Sequence, residues 1–201
     1  MKKLVPAFLF LGLTACGGSD NDSSEITPPK VVPDLQADVC YLMATTMGDI
    51  TLAIDLTNMP VTGKNFKDYV DSGFYDGTLF HRVAYNFVIQ GGGFTTGMVA
   101  KPGNDPIVNE ADVGISNERG TIAMARTTAP DSATSQFFIN VLDNPQLDAS
   151  SSSYGYAVFG KVVEGIEIVD QINIVDTGSN SEIPVEEVII NSVTELTCPV
   201  G

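Results

Sequence analysis

The sequence predicts a mostly β domain, an antiparallel barrel with few helices, on three observations. Short runs rich in Val, Ile, Thr, Phe and Tyr succeed one another from residue 41 to residue 196. Gly, Pro, Asn and Asp punctuate those runs, and only two segments show helical spacing. A chain of 201 residues with 43% hydrophobic side chains is enough for one globular domain with a sizeable core.

Residues 41–46 and 50–55 predict a β-hairpin, since β-branched and apolar residues flank Met47-Gly48-Asp49. Residues 61–72 predict a helix, entered after Pro60 and closed by Gly73, with Phe66, Tyr69 and Val70 on one stripe. Strands are then expected at 78–83, 87–90, 121–126, 136–141 and 156–162. A second helix at 166–172 and a last strand at 188–196 complete the pattern. No internal repeat is present, and the serine run at 150–153 reads as a solvated loop tip.

The formal charge of −15 argues against sequence-independent binding of nucleic acid, whose phosphates an acidic surface repels. Its plain consequence is solubility. His81 is the only histidine. No HxxH or HExxH spacing surrounds it, so it is expected as a satisfied core residue and no metal is called for. Gly91-Gly92-Gly93 lacks the Gly-Lys-Ser/Thr ending and the strand-to-helix context of a phosphate loop, and reads as a tight backbone bend.

At the N-terminus, Lys2 and Lys3 precede an apolar stretch, residues 4–13, that is too short for a bilayer span of about 20 residues. Leu13-Thr14-Ala15-Cys16 then resembles a bacterial lipobox, which implies cleavage before Cys16 and lipidation of its thiol. An ordinary secretory signal with an incidental cysteine is the alternative. Residues 1–15 are thus expected to be a signal peptide and 16–38 a lipidated cysteine followed by a flexible tether. Residues 39–199 form the folded domain. The mature chain would carry 8 basic against 25 acidic side chains, a net of −17, so acyl chains rather than electrostatics must hold it to the membrane. Gly17 in place of an aspartate favours the outer membrane, by resemblance to sorted lipoproteins. The tether would span roughly 25 Å.

Three ordered blocks carry the strongest signal. The first is Phe80-His81-Arg82-Val83 with Phe87-Val88-Ile89-Gln90-Gly91-Gly92-Gly93-Phe94. The second is Gly120-Thr121-Ile122-Ala123-Met124-Ala125-Arg126 with Ser132-Ala133-Thr134-Ser135-Gln136-Phe137-Phe138-Ile139-Asn140. The third is Gly155-Tyr156-Ala157-Val158-Phe159-Gly160-Lys161-Val162-Val163-Glu164-Gly165. Together they resemble the cyclophilin family of peptidyl-prolyl isomerases, over residues 39–199. The resemblance implies an eight-stranded barrel capped by two helices, and catalysis without a cofactor.

An X-Pro bond rotates slowly because the imide has partial double-bond character, with a barrier of about 18–20 kcal/mol. A guanidinium donating to the prolyl nitrogen favours the twisted, pyramidal form over the planar one. The resemblance gives that role to Arg82 and groups Phe87 and Gln90 with it as catalytic residues. Strand alternation would turn Arg82 to the groove and His81 inward. The resemblance also implies an apolar proline slot of Phe87, Val88, Phe138, Leu147 and Tyr156, hydrogen bonds from Gln90 and Gln136, and contacts from Ala125 and Arg126. Ordinary barrel core is the plainer reading of the phenylalanines, and the co-occurrence of Arg82, Phe87, Gln90 and Phe138 reverses it.

Relatives usually carry Trp or Phe where this chain has Gln146, and the chain has no Trp. Weak cyclosporin binding is therefore expected, with catalysis retained. Cys40 and Cys198 stand at the two ends of the domain, and the resemblance puts the first and last strands side by side. A disulfide is expected in an oxidising compartment, with two free thiols as the alternative. The expected partners are proline-containing polypeptides of the envelope and, through the anchor, a membrane, for a monomer on its periplasmic face. A proline-segment-binding chaperone module with little turnover is the competing reading, and a purely structural envelope protein a weaker one.

Overall fold

The computed structural model describes residues 30–179 and 181–199, so the signal segment and Cys16 lie outside the described residues. The chain divides into two units, Met1–Val31 and Val32–Gly201, and every element below belongs to the second.

Strands β1 (Val39–Thr45) and β2 (Gly48–Ile54) form the expected hairpin, in register from Val39↔Ile54 to Thr45↔Gly48. Its turn is Thr46-Met47, one residue earlier than the sequence predicts. The Thr45 hydroxyl stabilises it by donating to the Gly48 carbonyl at 2.7 Å and accepting from Met47 N at 3.0 Å.

Helix α1 (Pro60–Asp71) opens with proline in its first turn, and Met59 at its N-cap offers no capping side chain. The orphan donors go instead to Glu110, whose carboxylate accepts from Val61 N at 3.2 Å and Thr62 N at 2.7 Å. Its apolar stripe buries Phe66, Tyr69 and Val70. Phe66 meets the rings of Tyr41, Tyr75, Phe137 and Phe159 at centroid distances of 5.1–5.9 Å.

The remaining elements are β3 (Thr78–Leu79), β4 (Arg82–Ala84), β5 (Val88–Gly91), β6 (Phe94–Thr95), β7 (Val99–Ala100), β8 (Thr121–Met124), β9 (Phe137–Asn140), β10 (Val158–Glu164), α2 (Ile166–Asn173) and β11 (Ile189–Leu196). They form one antiparallel sheet in the order β4-β5-β9-β8-β10-β2-β1-β11-β3-β6-β7. The strand expected at 78–83 is thus two pieces, and β6 and β7 were not anticipated, being only two residues each.

Those pieces explain how the sheet curls into a barrel. β3 and β4 run on from one another, as do β5 and β6, and the two composite strands pair at both ends: Thr78 with Thr95 and Arg82 with Gln90. β3 pairs β11 while β5 pairs β9, so the sheet returns on itself. Taking each composite as one strand leaves eight strands around the barrel plus the short β7. One extra residue on the β5/β6 side produces the bend, a bulge located at Gly92, where φ is 80°. A Cβ on Gly92 would sit 2.8 Å from the Tyr75 ring and 2.9 Å from the Ser135 carbonyl, so only glycine fits.

Side-chain alternation sorts the apolar residues into two clusters. Tyr41, Ile50, Leu52, Phe66, Phe80, Ile89, Ile122, Phe137 and Phe159 fill the barrel interior. On the outer face, Ala84, Val88, Ala123, Phe138 and Val158 form a second cluster, with Phe87, Ala125, Leu147 and Tyr156 packed on it. Neighbouring Phe137 and Phe138 therefore belong to opposite faces of β9.

Residues 34–38, expected as the end of the tether, are tied to the barrel. Asp55 Oδ2 accepts from Gln36 N at 2.9 Å, Asp38 Oδ2 accepts from Leu56 N and Thr57 N at 2.7 and 2.8 Å, and Leu35 packs on the outer cluster. Such bonds from a short polar stretch are not visible in its composition. Cys40 and Cys198 are joined as a disulfide with Cα atoms 5.0 Å apart, since β1 and β11 pair antiparallel. The serine run closes on itself, Ser150 N donating to Ser153 O at 2.8 Å.

Candidate active site

Arg82, Gln90, Phe138 and Ala123 lie on one rung of the sheet, paired in turn across β4, β5, β9 and β8. The alternation that sends Val83, Ile89 and Phe137 into the barrel brings this rung to the outer face. A groove of about 240 Å³ lies over it, lined by Arg82, Phe87, Val88, Gln90, Ala125, Arg126, Phe138, Leu147 and Tyr156. Gln136 lines an adjoining pocket of about 180 Å³ that shares Gln90, Ala125 and Arg126. Every residue named from the sequence for the groove thus falls in one of two touching depressions.

The polar side is a directed chain of hydrogen bonds. Arg82 Nη1 donates to Gln90 Oε1 at 3.2 Å, and Gln90 Nε2 donates to Gln136 Oε1 at 2.9 Å. Because Gln90 must accept from the guanidinium, its amide has only one useful orientation. Arg82 Nε donates to Glu182 Oε2 at 2.6 Å.

The apolar side is held by backbone bonds. Ala84-Tyr85-Asn86-Phe87 is a tight turn with Asn86 at φ 54°, a left-handed conformation that asparagine tolerates. Asn173 Oδ1 accepts from Asn86 N at 2.9 Å. The Phe87 carbonyl accepts from Val141 N at 3.0 Å and Asn144 Nδ2 at 3.1 Å, fixing the ring's base. Leu147 sits in the 3-10 turn Pro145–Leu147, and its carbonyl accepts from Tyr156 N at 2.9 Å.

Arg126 plays a different part from Arg82. Its guanidinium lies 4.4 Å over the Tyr156 ring, and its Nε donates to the Gly155 carbonyl at 2.9 Å. A stacked, doubly bonded arginine is a wall of the groove. Tyr156 in turn meets Phe138 edge-on at 5.6 Å. Gln146, the position where the resemblance implies an aromatic ring, is exposed, donates to Asn144 Oδ1 at 3.0 Å, and is not among the lining residues.

His81 is buried against the Phe94 ring at 4.6 Å, as a core histidine should be. It departs from expectation in one respect: Nδ1 has no hydrogen-bond partner among the described residues. Burial pushes its imidazole below the ordinary value, and the neighbouring Arg82 charge acts in the same direction, while the nearby polar groups of the Leu79 backbone and Gln136 act the other way.

Two residues of the site escaped the sequence reading. Glu182 is remote in sequence and stands in no recognisable motif. Asn144 lies beside the expected Gln146, but its role depends on a bond to a backbone carbonyl 57 positions away. Among the described residues no group of three His, Cys, Asp or Glu side chains could hold a metal, and no helix is long and apolar enough to cross a membrane.

A guanidinium fixed at the rim of an apolar slot, on the outside of an antiparallel barrel, defines a site with room for an apolar group beside a hydrogen-bond acceptor. The family model for "Cyclophilin type peptidyl-prolyl cis-trans isomerase/CLD" matches residues 40–195. Peptidyl-prolyl cis-trans isomerase A of Dickeya dadantii is 54% identical over 154 residues, 75% of this chain and 81% of the relative. Peptidyl-prolyl cis-trans isomerase B of Escherichia coli is 52% identical over 156 residues, 75% of this chain and 95% of the relative. Among solved structures, a Cryptosporidium parvum cyclophilin-type isomerase superposes with a TM-score of 0.64 at 27% identity, covering 80% of this chain and 99% of its own. The chain belongs to the cyclophilin-type peptidyl-prolyl cis-trans isomerase family, and the enzyme class expected from its sequence stands.

Proposed function

We propose that this chain accelerates cis/trans exchange at X-Pro bonds of cell-envelope proteins and so assists their folding, with Arg82 weakening the imide resonance. The carrying observation is the position of Arg82: its guanidinium is held by Gln90 and Glu182 at the edge of the slot formed by Phe87, Phe138, Leu147 and Tyr156. A prolyl ring in that slot would bring its imide nitrogen to the guanidinium, whose donation strengthens as the nitrogen turns pyramidal. The structure of the Cryptosporidium relative in the presence of the dipeptide Ala-Pro, at 27% identity and a TM-score of 0.63, supports a proline ligand.

The lipobox reading makes the chain a lipoprotein anchored through Cys16, exposed to the periplasm, with the outer membrane favoured. A monomer suits a site built wholly from one chain. Weak cyclosporin binding follows from Gln146, whose exposed amide supplies no aromatic wall.

The test is NMR exchange of a short Xaa-Pro peptide with the chain and its Arg82→Ala variant. Fast exchange that collapses in the variant supports the isomerase reading. Peptide binding without acceleration of exchange by either protein favours a binding module. For the anchor, Cys16→Ser should abolish labelling by a radioactive fatty acid and release the chain from membranes, and unchanged labelling overturns the lipoprotein assignment. A submicromolar dissociation constant for cyclosporin refutes the role given to Gln146.

A further inference from the structure

Glu182 belongs to the connection between α2 and β11, and it meets β4 twice. Its carboxylate Oε2 accepts from Arg82 Nε at 2.6 Å, and its backbone carbonyl accepts from Val83 N at 2.6 Å. The side chain is thereby anchored at its root and at its tip. Gln90 holds the same guanidinium from another edge, through Nη1. A planar group bonded through Nε and Nη1 at once cannot turn about its last torsion without breaking one of the two bonds. What remains for a substrate is Nη2 and the second Nη1 hydrogen, and Nη2 makes no bond to another side chain or carbonyl among the described residues.

We propose that Glu182 is a positioning residue for the isomerase reaction, aiming the free edge of the Arg82 guanidinium at the prolyl nitrogen. The proposal rests on the reading of Arg82 given above. The two side chains are 35% and 52% exposed, so water screens their attraction and the pair adds little to the stability of the fold. Its effect lies in orientation. A guanidinium already aligned needs no ordering as the imide twists, and such preorganisation appears in the rate of the bound complex rather than in substrate affinity. Glu182 thus contributes to the chemistry although it does not line the groove.

Two substitutions separate geometry from charge. Glu182→Ala removes the acceptor, whereas Glu182→Gln keeps an acceptor oxygen and removes the charge. Peptide exchange is measured by NMR over a range of peptide concentrations for the parent, both variants and Arg82→Ala, together with the Nε–Hε signal of Arg82 in the chains that keep it. Glu182→Ala should lower kcat about tenfold with KM changed less than about twofold, and should move the Arg82 signal. Glu182→Gln should recover kcat to within about threefold of the parent. An unchanged kcat in Glu182→Ala overturns the proposal, as does a loss equal in both variants with the Arg82 signal unmoved. If Arg82→Ala itself exchanges peptide at the parent rate, the reading of Arg82 fails and this proposal fails with it. Catalysis that needs Arg82 and ignores Glu182 overturns the positioning role alone.

Discussion

Arg82 and Gln90 are register partners on β4 and β5, and Arg82 Nη1 donates to Gln90 Oε1 at 3.2 Å. The sheet ladder therefore sets the distance between the two groups, and side-chain flexibility contributes little. Gln90→Leu keeps the volume and the β5 ladder, but it removes the acceptor for Arg82 and leaves Gln136 Oε1 without its donor. A hydrogen bond to a charged group contributes about 1.5–3 kcal/mol, so kcat/KM should fall roughly 10-fold to 100-fold. NMR exchange on an Xaa-Pro peptide measures this, and a value within twofold of the parent would show that Gln90 does not orient the arginine.

Asn144 should matter for the slot more than for the cation. Its Nδ2 donates to the Phe87 carbonyl and to Asn140 Oδ1 at 2.9 Å, and Asn140 is bonded in turn to Asn117 and Thr121. These amides are buried, so truncating one leaves others unpaired. Asn144→Ala is expected to cost about 1–3 kcal/mol of stability and to raise KM by loosening the Phe87 ring, with kcat little changed. Urea unfolding and the concentration dependence of exchange measure the two effects. A fall in kcat at constant KM would contradict the assignment.

How much was legible in the sequence depended on how local the cause was. The hairpin, both helices and the outward rung of Arg82, Gln90 and Phe138 follow from alternation, helical spacing and a motif with fixed offsets. The division of residues 78–95 into four pieces did not follow, because the bulge at Gly92 reflects a close approach to Tyr75 and Ser135 that no neighbour in sequence announces. The cap on α1 was hidden for the same reason: Met59 offers nothing, and Glu110 supplies it from across the fold. Glu182 and Asn144 are likewise long-range partners. Single-sequence reading found the groups that face the substrate and missed those that hold them.

His81 makes stability depend on pH in a window that can be read cleanly. Burial lowers its folded-state pKa below the ordinary value of 6.5, so the unfolded chain takes up the proton first as pH falls. Its contribution is intact above 6.5 and is lost as pH drops through that value toward the lower folded one. No other histidine is present to titrate there. Urea midpoints between pH 7 and pH 5.5 should fall for the parent and stay nearly level for His81→Leu. A parallel slope in both would assign the effect to other groups.

The disulfide provides the last test, because it separates stability from catalysis. Cys40 and Cys198 are 158 positions apart, and linking them restricts nearly the whole unfolded domain. The chain-entropy model gives about 5 kcal/mol for a loop of that length, an upper bound because such bridges commonly deliver less. Cys40 pairs Leu196 at the end of β11, just before Cys198, far along that strand from Ile189 and Ile190, where it meets the β3/β4 composite that carries Arg82. The interior cluster around Phe66 and Phe137 does not include either cysteine, so the fold should survive their replacement. The double variant Cys40→Ala/Cys198→Ala should unfold at markedly lower urea concentration while kcat/KM under native conditions stays within about twofold of the parent. An equal loss of activity would mean that the groove relies on the bridge, through Leu35, which packs on the outer cluster two positions before Ala37, whose carbonyl lies 3.8 Å from Cys198 Sγ.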